Sequence, residues 1–321
     1  MSVVLTGSIA YDYIMSFPGY FKDHILPDKI HQISVSFLVD SMKKQRGGIA
    51  TNIAYSLALL GEHPKIMATV GEDFAEYRRW LDLHHIDTSA IIEVPDEYTA
   101  SFFVSTDKDQ NQIATFYTGA MAHAHLVSFK DHVNGGIELA VISPNDPQAM
   151  IQYVAECKEL GIPYIYDASQ QIIRLDASDL IEGCRGSKMI ILNDYELEML
   201  KNKTGWTDQE VAACTETLIV TYGERGSKIY CQDRVCEIPI VKPRRAGEPT
   251  GVGDAYRSGI VKGMMHDYSW EFTGRLAALA ATYVLEETGT QNHHYQLPEF
   301  TERFRQEFGD WEELEKLEVG S

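Results

Sequence analysis

The chain has 321 residues, 44% of them hydrophobic, enough to bury a sizeable core as one large domain or as one domain with a smaller appendage. Its 28 Lys and Arg face 47 Asp and Glu, and the formal net charge of -19 argues against a nucleic-acid partner or an anionic membrane surface. Local cations, helix N-termini or a bound metal can still make a single cleft receptive to an anionic small ligand.

The cysteines, Cys157, Cys184, Cys214, Cys231 and Cys236, are odd in number and lack C-x-x-C spacing, so reduced, structural thiols are expected. No stretch approaches the roughly 20 apolar residues of a membrane span, and no basic leader opens the sequence, which together predict a cytoplasmic protein.

Residues 3–5 form a short apolar run stopped by Gly7, as expected of a buried strand that delivers a loop, with Asp12 in that loop. Ile33, Val35, Phe37 and Val39 recur at every second position and predict a strand with one covered face. After Gly47-Gly48, the spacing of Ile49, Ile53, Leu57 and Leu60 predicts a helix that ends at Gly61. Residues 99–105 and 112–117 flank the polar turn Asp107-Lys108-Asp109-Gln110-Asn111 and predict a β-hairpin. From residue 139 the rhythm becomes strand, turn, helix: Asp146-Pro147 supplies an N-cap followed by Pro at the first helical position, and Gly161 ends the helix. Further strands are expected at 162–166, 189–192, 217–221 and 227–231, and long helices at 253–265 and 270–286. Such alternation implies an α/β fold with a largely parallel sheet covered by helices on both faces. No linker divides residues 1–321, so the hairpin material reads as a small β lid built from insertions near 16–45 and 95–118. The acidic segment 311–318 predicts a solvated terminal helix or a partner-binding one.

Glu248-Pro249-Thr250-Gly251-Val252-Gly253-Asp254-Ala255-Tyr256 runs from a glycine-flanked turn into a helix. The amides of Gly251, Val252 and Gly253 would stabilise negative charge developing on a phosphoryl group. Asp254 would take the proton of an attacking hydroxyl, or would simply cap the helix. Asp12 can accept two hydroxyl hydrogen bonds or stabilise a turn. Asn193 and Glu196 offer hard oxygen ligands one helical turn apart, suited to a magnesium ion that keeps most of its water, or they form ordinary helix surface. Gly223 and Gly226 would let a tight turn lie against a nucleotide, or would close a hairpin. Arg257 either approaches phosphate or forms an exposed ion pair. Lys43, Lys44 and Arg46 either contact a nucleotide or belong to a solvated turn.

Residues 249–259 resemble the C-terminal signature D-T-x-G-A-G-D-x-F of the ribokinase or PfkB carbohydrate kinase family. Five further segments are similar to family motifs in the same order along nearly the whole chain. Residues 7–12 resemble the first-strand loop, which implies that Asp12 holds two sugar hydroxyls. Gly47-Gly48-x-x-x-Asn52 resembles the G-G-x-x-x-N signature and implies that Gly47, Gly48 and Asn52 face the substrate. Val70-Gly71-Glu72-Asp73 resembles the V-G-x-D turn, Asn193-x-x-Glu196 the magnesium-holding N-x-x-E motif, and Thr221-x-Gly223-x-x-Gly226 the nucleotide loop. The resemblance implies a ribokinase-like fold and magnesium-dependent phosphoryl transfer from ATP to a hydroxyl, with Asp254 as base. Glu248-Pro249 stands where the family has Asp-Thr, which leaves the family's potassium site open.

Residues 112–121 and Gly289-Thr290-Gln291-Asn292-His293 look like the adenosine-kinase-like branch. They imply adenosine or another purine nucleoside ahead of a free sugar, with Asn292 beside the nucleotide. The aromatics Phe17, Phe37, Phe102, Phe103, Phe116 and Tyr117 would then form a slot for a flat base, or would pack the lid. An exposed lid strand could also pair two copies as a homodimer. Neither G-x-x-x-x-G-K-[ST] nor a strand-linked G-x-G-x-x-G is present, which argues against a P-loop enzyme and a dinucleotide oxidoreductase. A nucleoside-binding regulatory protein with a kinase fold is the non-enzymatic alternative, and the retained Asp254 argues against it.

Overall fold

Val3 and Leu5 pack on one face of a central sheet and Val4 on the other, and the same split recurs at Ile190/Ile191 and Leu218/Ile219. Adjacent strand residues point to opposite faces, so apolar runs without polar alternation must be covered twice. The computed structural model describes residues 2–32, 34–132, 136–231, 234–245 and 247–319.

In chain order the strands are β1 (Val3–Thr6), β2 (Ala10–Ser16), β3 (Ser41–Gly47), β4 (Lys65–Val70), β5 (Asp87–Glu93), β6 (Ala100–Thr106), β7 (Gln112–Tyr117), β8 (Leu139–Ile142), β9 (Tyr164–Tyr166), β10 (Met189–Asn193), β11 (Thr217–Thr221), β12 (Ser227–Cys231) and β13 (Arg234–Ile238). The main sheet runs β13-β12-β11-β10-β9-β8-β1-β4-β5, parallel from β5 to β11 and closed by the antiparallel pair β12 and β13. One face is covered by α1 (Ile49–Leu59), α2 (Ala75–Leu83), α7 (Val252–Met265) and α8 (Trp270–Leu285). The other is covered by α3 (Pro147–Leu160), α4 (Ala177–Cys184), α5 (Asp194–Thr204) and α6 (Asp208–Ala213). This is the doubly covered, largely parallel sheet that the alternation predicts.

Helix boundaries follow local chemistry. Asp146 caps α3, its side chain accepting from the amides of Gln148 and Ala149, and Gly161 ends it in the left-handed conformation. On α7, Gly259 and Gly263 face Ala277 and Thr273 of α8; a Cβ on Gly259 would lie 2.4 Å from the Ala277 Cα. That close approach fixes α7, and with it the turn at its N-terminus, against the core.

A second sheet, ordered β3-β2-β6-β7, forms the lid. Asp107 organises its hairpin by accepting the amides of Asp109 and Asn111, each at 2.9 Å. The V-G-x-D segment anchors this sheet: Asp73 Oδ1 accepts the Thr99 amide at 2.8 Å, and Gly71 N–H donates to Thr99 Oγ1 at 3.1 Å. At the opposite edge, every residue of β7 is exposed.

Four expectations are corrected. Ile33 lies outside the described residues, and 34–39 form no strand; β3 begins at Ser41 instead. Of the alternating residues, Phe37 joins a ring cluster, edge-on to Phe17 and Phe21 with centroids 5.1 and 4.7 Å away. Asp12 lies on β2 rather than in a loop, because the chain leaves β1 and enters the lid sheet within a few residues. The lid therefore starts at Ala10, ahead of the expected insertion. Finally, the acidic terminal helix α10 (Glu312–Val319) is not wholly solvated: Leu314 and Leu317 are buried beside Phe300 and Phe304 of α9 (Leu297–Phe308). Among the described residues, no helix is long and apolar enough to cross a membrane.

Candidate active site

Open α/β sheets bind ligands beyond the carboxyl ends of their strands. A cleft of about 680 Å³ opens there, between the main sheet and the lid. It gathers Asp12, Gly48, Asn52, Asn193, Glu196, Thr221, Gly251, Gly253 and Asp254, residues spread over most of the chain.

One wall of the cleft is shaped by Gly47 and Gly48. Gly48 has φ +98°, and a Cβ there would lie 2.6 Å from the Ser8 carbonyl oxygen and the Ala10 amide nitrogen. A Cβ on Gly47 would fall 2.4 Å from Asp12 Oδ2, so the glycine leaves room for that carboxylate. Asp12, Phe102 and Phe116 are direct cross-strand partners on β2, β6 and β7 and line the same cleft. A carboxylate and two phenyl rings thus form one row on the cleft face of the lid.

At the opposite wall, Gly251 adopts φ +82° and α7 begins at Val252. The Val252 amide is not free as expected: it donates to the Pro249 carbonyl at 3.3 Å. The amides of Gly251, Gly253 and Asp254 carry no intrachain hydrogen bond among the described residues, so the free amides lie one residue further into the helix than the expected set. Asp254 Oδ2 accepts from Asn52 Nδ2 at 2.8 Å. Asn52 Oδ1 accepts in turn from Gln291 Nε2 at 2.7 Å, Gln291 Nε2 also donates to Tyr77 at 2.7 Å, and the Tyr77 hydroxyl donates to the Gly47 carbonyl at 2.9 Å. This buried relay fixes the rotamer of Asn52 and, through it, the Asp254 carboxylate. Neither Tyr77 nor Gln291 stood out in the sequence, although Gln291 belongs to the quoted segment 289–293.

Burial pushes the Asp254 carboxyl up to about 6, against the opposing effects of the Arg257 charge and the Asn52 hydrogen bond. Burial and the Glu248 charge push Asp12 up to about 6 as well. Asp254 is therefore protonated, and unable to accept a proton, below about pH 6 and ionised above it. We expect kcat/KM to fall as pH drops through 6, with a limb steeper than one proton because Asp12 titrates with it. A profile between about pH 4.5 and 8 checks this; constant kcat/KM down to the acid end would remove Asp254 from the role of base.

Asn193 and Glu196 form a capping box on α5. Asn193 Oδ1 accepts from the Glu196 amide and Glu196 Oε2 from the Asn193 amide, both at 2.8 Å. Two of the oxygens expected to serve a metal are thus engaged, although both residues line the cleft. The pair fits a hydrated magnesium ion held through its water, which needs few protein oxygens. Among the described residues no group of three or more His, Cys, Asp and Glu side chains is arranged to ligate a metal directly.

Thr221 ends β11 in the cleft, whereas Gly223 and Gly226 belong to the hairpin turn between β11 and β12, the first exposed and the second buried, and neither lines the cleft. Asn292 is not brought to the cleft. It is exposed, donates to the Thr288 carbonyl at 2.7 Å, and lines a separate hollow with Lys43, Lys44 and Arg46. Of those cations, Lys44 lies over the Tyr11 ring and Arg46 pairs with Glu76 at 3.0 Å. Arg257, expected to be exposed if paired, is almost buried and pairs with fully buried Asp167.

The family model described as pfkB family carbohydrate kinase matches residues 11–296. The chain belongs to this family. Like its relatives, it is a phosphotransferase with a hydroxyl acceptor. The kinase is 29% identical over 294 residues to a nucleoside kinase of Methanocaldococcus jannaschii, covering 91% of this chain and 92% of that one. The crystal structure of the M. jannaschii protein, an archaeal member of the ribokinase family, superposes with a TM-score of 0.84 at 28% identity and covers 95% and 98% of the two chains. The nucleoside kinase of Burkholderia thailandensis in complex with inosine superposes with a TM-score of 0.86 at 36% identity, covering 96% of this chain and 98% of that one. The same protein in complex with ADP-inosine gives 0.84 at 38% identity, with 96% of each chain covered. The fold is ribokinase-like, as the motifs imply.

Proposed function

We propose that this kinase transfers the γ-phosphoryl group of ATP to the 5′-hydroxyl of a purine nucleoside, with adenosine the first acceptor expected, giving AMP and ADP. The observation that carries the acceptor class is the row Asp12–Phe102–Phe116 on the lid. A free sugar needs hydrogen-bonding groups around its whole rim, whereas a nucleoside needs a hydroxyl acceptor beside an apolar slot for a flat base. The inosine complex of the B. thailandensis relative supports the same class.

In this scheme Asp12 and the Gly47–Gly48 turn hold the ribose, and Asp254, oriented by Asn52, accepts the proton of the attacking hydroxyl. The free amides of Gly251, Gly253 and Asp254 receive the charge of the transferring group. Thr221 and the Gly223–Gly226 turn lie against the nucleotide. Magnesium, held through water by Glu196, would neutralise phosphate charge when bound with ATP. Closure of the lid, bringing its aromatic row over the acceptor, would exclude water from the transferring group.

Acceptor-dependent ADP formation across adenosine, inosine, guanosine, cytidine, ribose, fructose and fructose phosphates tests the proposal. Adenosine, or another purine nucleoside, is expected to give the highest kcat/KM. Turnover confined to a sugar would overturn the acceptor class and leave the phosphotransfer chemistry standing.

A further inference from the structure

We propose that Arg257 supplies a fixed cationic donor to the phosphoryl group in transfer, through its Nη1, acting beside the amides of the anion hole. The inference rests on the phosphotransfer chemistry above and adds a side chain to its backbone anion hole.

Arg257 follows Gly253 by one helical turn on α7, so the two share a face. A Cβ built on Gly253 would lie only 2.8 Å from Arg257 Nη1, which places that nitrogen directly over the first turn of the helix. The rest of the guanidinium is engaged elsewhere. Nη2 donates to Asp167 Oδ1 at 2.9 Å and to Ser169 Oγ at 3.0 Å, and Nε lies 2.5 Å from Asp167 Oδ2. Nη1 has no hydrogen-bond partner among the described residues, and Arg257 lines the cleft. A purely structural ion pair would be complete with the edge that meets Asp167. The opposite edge is turned toward Gly253 and the cleft, where an incoming phosphoryl group would meet it.

The supporting groups are rigid. Asp167 is fully buried at the end of β9, and the Ser169 hydroxyl donates to Asp167 Oδ1 at 2.5 Å. Ser169 itself holds φ +36°, a backbone state that a non-glycine residue adopts only when its surroundings impose it. A guanidinium locked in this way needs no reorganisation when charge builds on the equatorial oxygens of the transferring group, and its planar fork suits phosphate oxygens. Gly253 acquires a second function: any side chain there would displace Nη1.

The test measures acceptor-dependent ADP formation, with the wild-type chain alongside and its best acceptor used throughout. Asp167→Asn with Arg257→Met removes both members of the buried pair, so that neither charge is left unpartnered. This double variant is expected to lose kcat by about 100-fold or more while the acceptor KM stays within about threefold. Arg257→Lys keeps the ion pair and the fold but is too short to reach Gly253, and is expected to lose kcat by about tenfold or more. In both variants the affinity for ADP with aluminium fluoride, a mimic of the transferring group, should fall while the affinity for ADP alone is retained. A folded variant with kcat within about threefold of wild type overturns the proposal, as does an equal fall in both affinities, which marks a structural role. If the wild-type chain turns over only a sugar, the nucleoside proposal fails while Arg257 is still judged on that sugar.

Discussion

Asp254→Asn lowers kcat by about 10³-fold, with acceptor and nucleotide affinities within a few-fold of wild type. The amide is nearly isosteric with the carboxylate and still reaches Asn52, now 2.8 Å from Oδ2, so the cleft keeps its shape. What disappears is the group proposed to take the proton, and the acid limb attributed to it disappears from the residual activity as well. Steady-state kinetics with calorimetric titration of adenosine and ADP checks the prediction. If the variant kept kcat within tenfold of wild type, the attacking hydroxyl would have to lose its proton elsewhere.

Asp12→Asn acts on the other side of the reaction. In the proposed scheme its carboxylate accepts from the acceptor's hydroxyls in a half-buried setting, where a hydrogen bond to a charged group contributes about 1.5–3 kcal/mol. Losing the charge while keeping the shape is expected to lower kcat/KM for the nucleoside by about 100-fold, chiefly through KM. Comparison of ribo- and deoxyribonucleosides localises the effect: the variant should discriminate between them less than wild type does. Undiminished discrimination and an unchanged KM would detach Asp12 from the sugar.

Those two carboxylates were legible because each sits in a compact local signature. The same holds for β8 and α3, where Asp146-Pro147 and Gly161 signal both helix ends within fifteen residues. The lid order β3-β2-β6-β7 was not legible, because it depends on pairing between segments some ninety residues apart, such as Ala10 with Ala100. Period-two alternation misled at 34–39, where Phe37 answers to a ring cluster and most of its neighbours are exposed rather than paired in a ladder. Tyr77 and Gln291 were invisible for a different reason. Each is an ordinary polar residue whose role exists only once α1, α2 and the segment after α8 meet. Asn292 shows the converse: the quoted segment does reach the site, but through its neighbour Gln291.

The hydrogen bond between Asn52 and Asp254 joins positions 202 residues apart. A ribosome-bound chain completes β1 to β11 and most of the cleft before α7 has been made. Until then the cleft lacks Gly251, Gly253 and Asp254, the residues proposed as anion hole and base. Synthesis order thus sets when the site can close: Asp254 and the free amides beside it join the cleft only once α7 has been made.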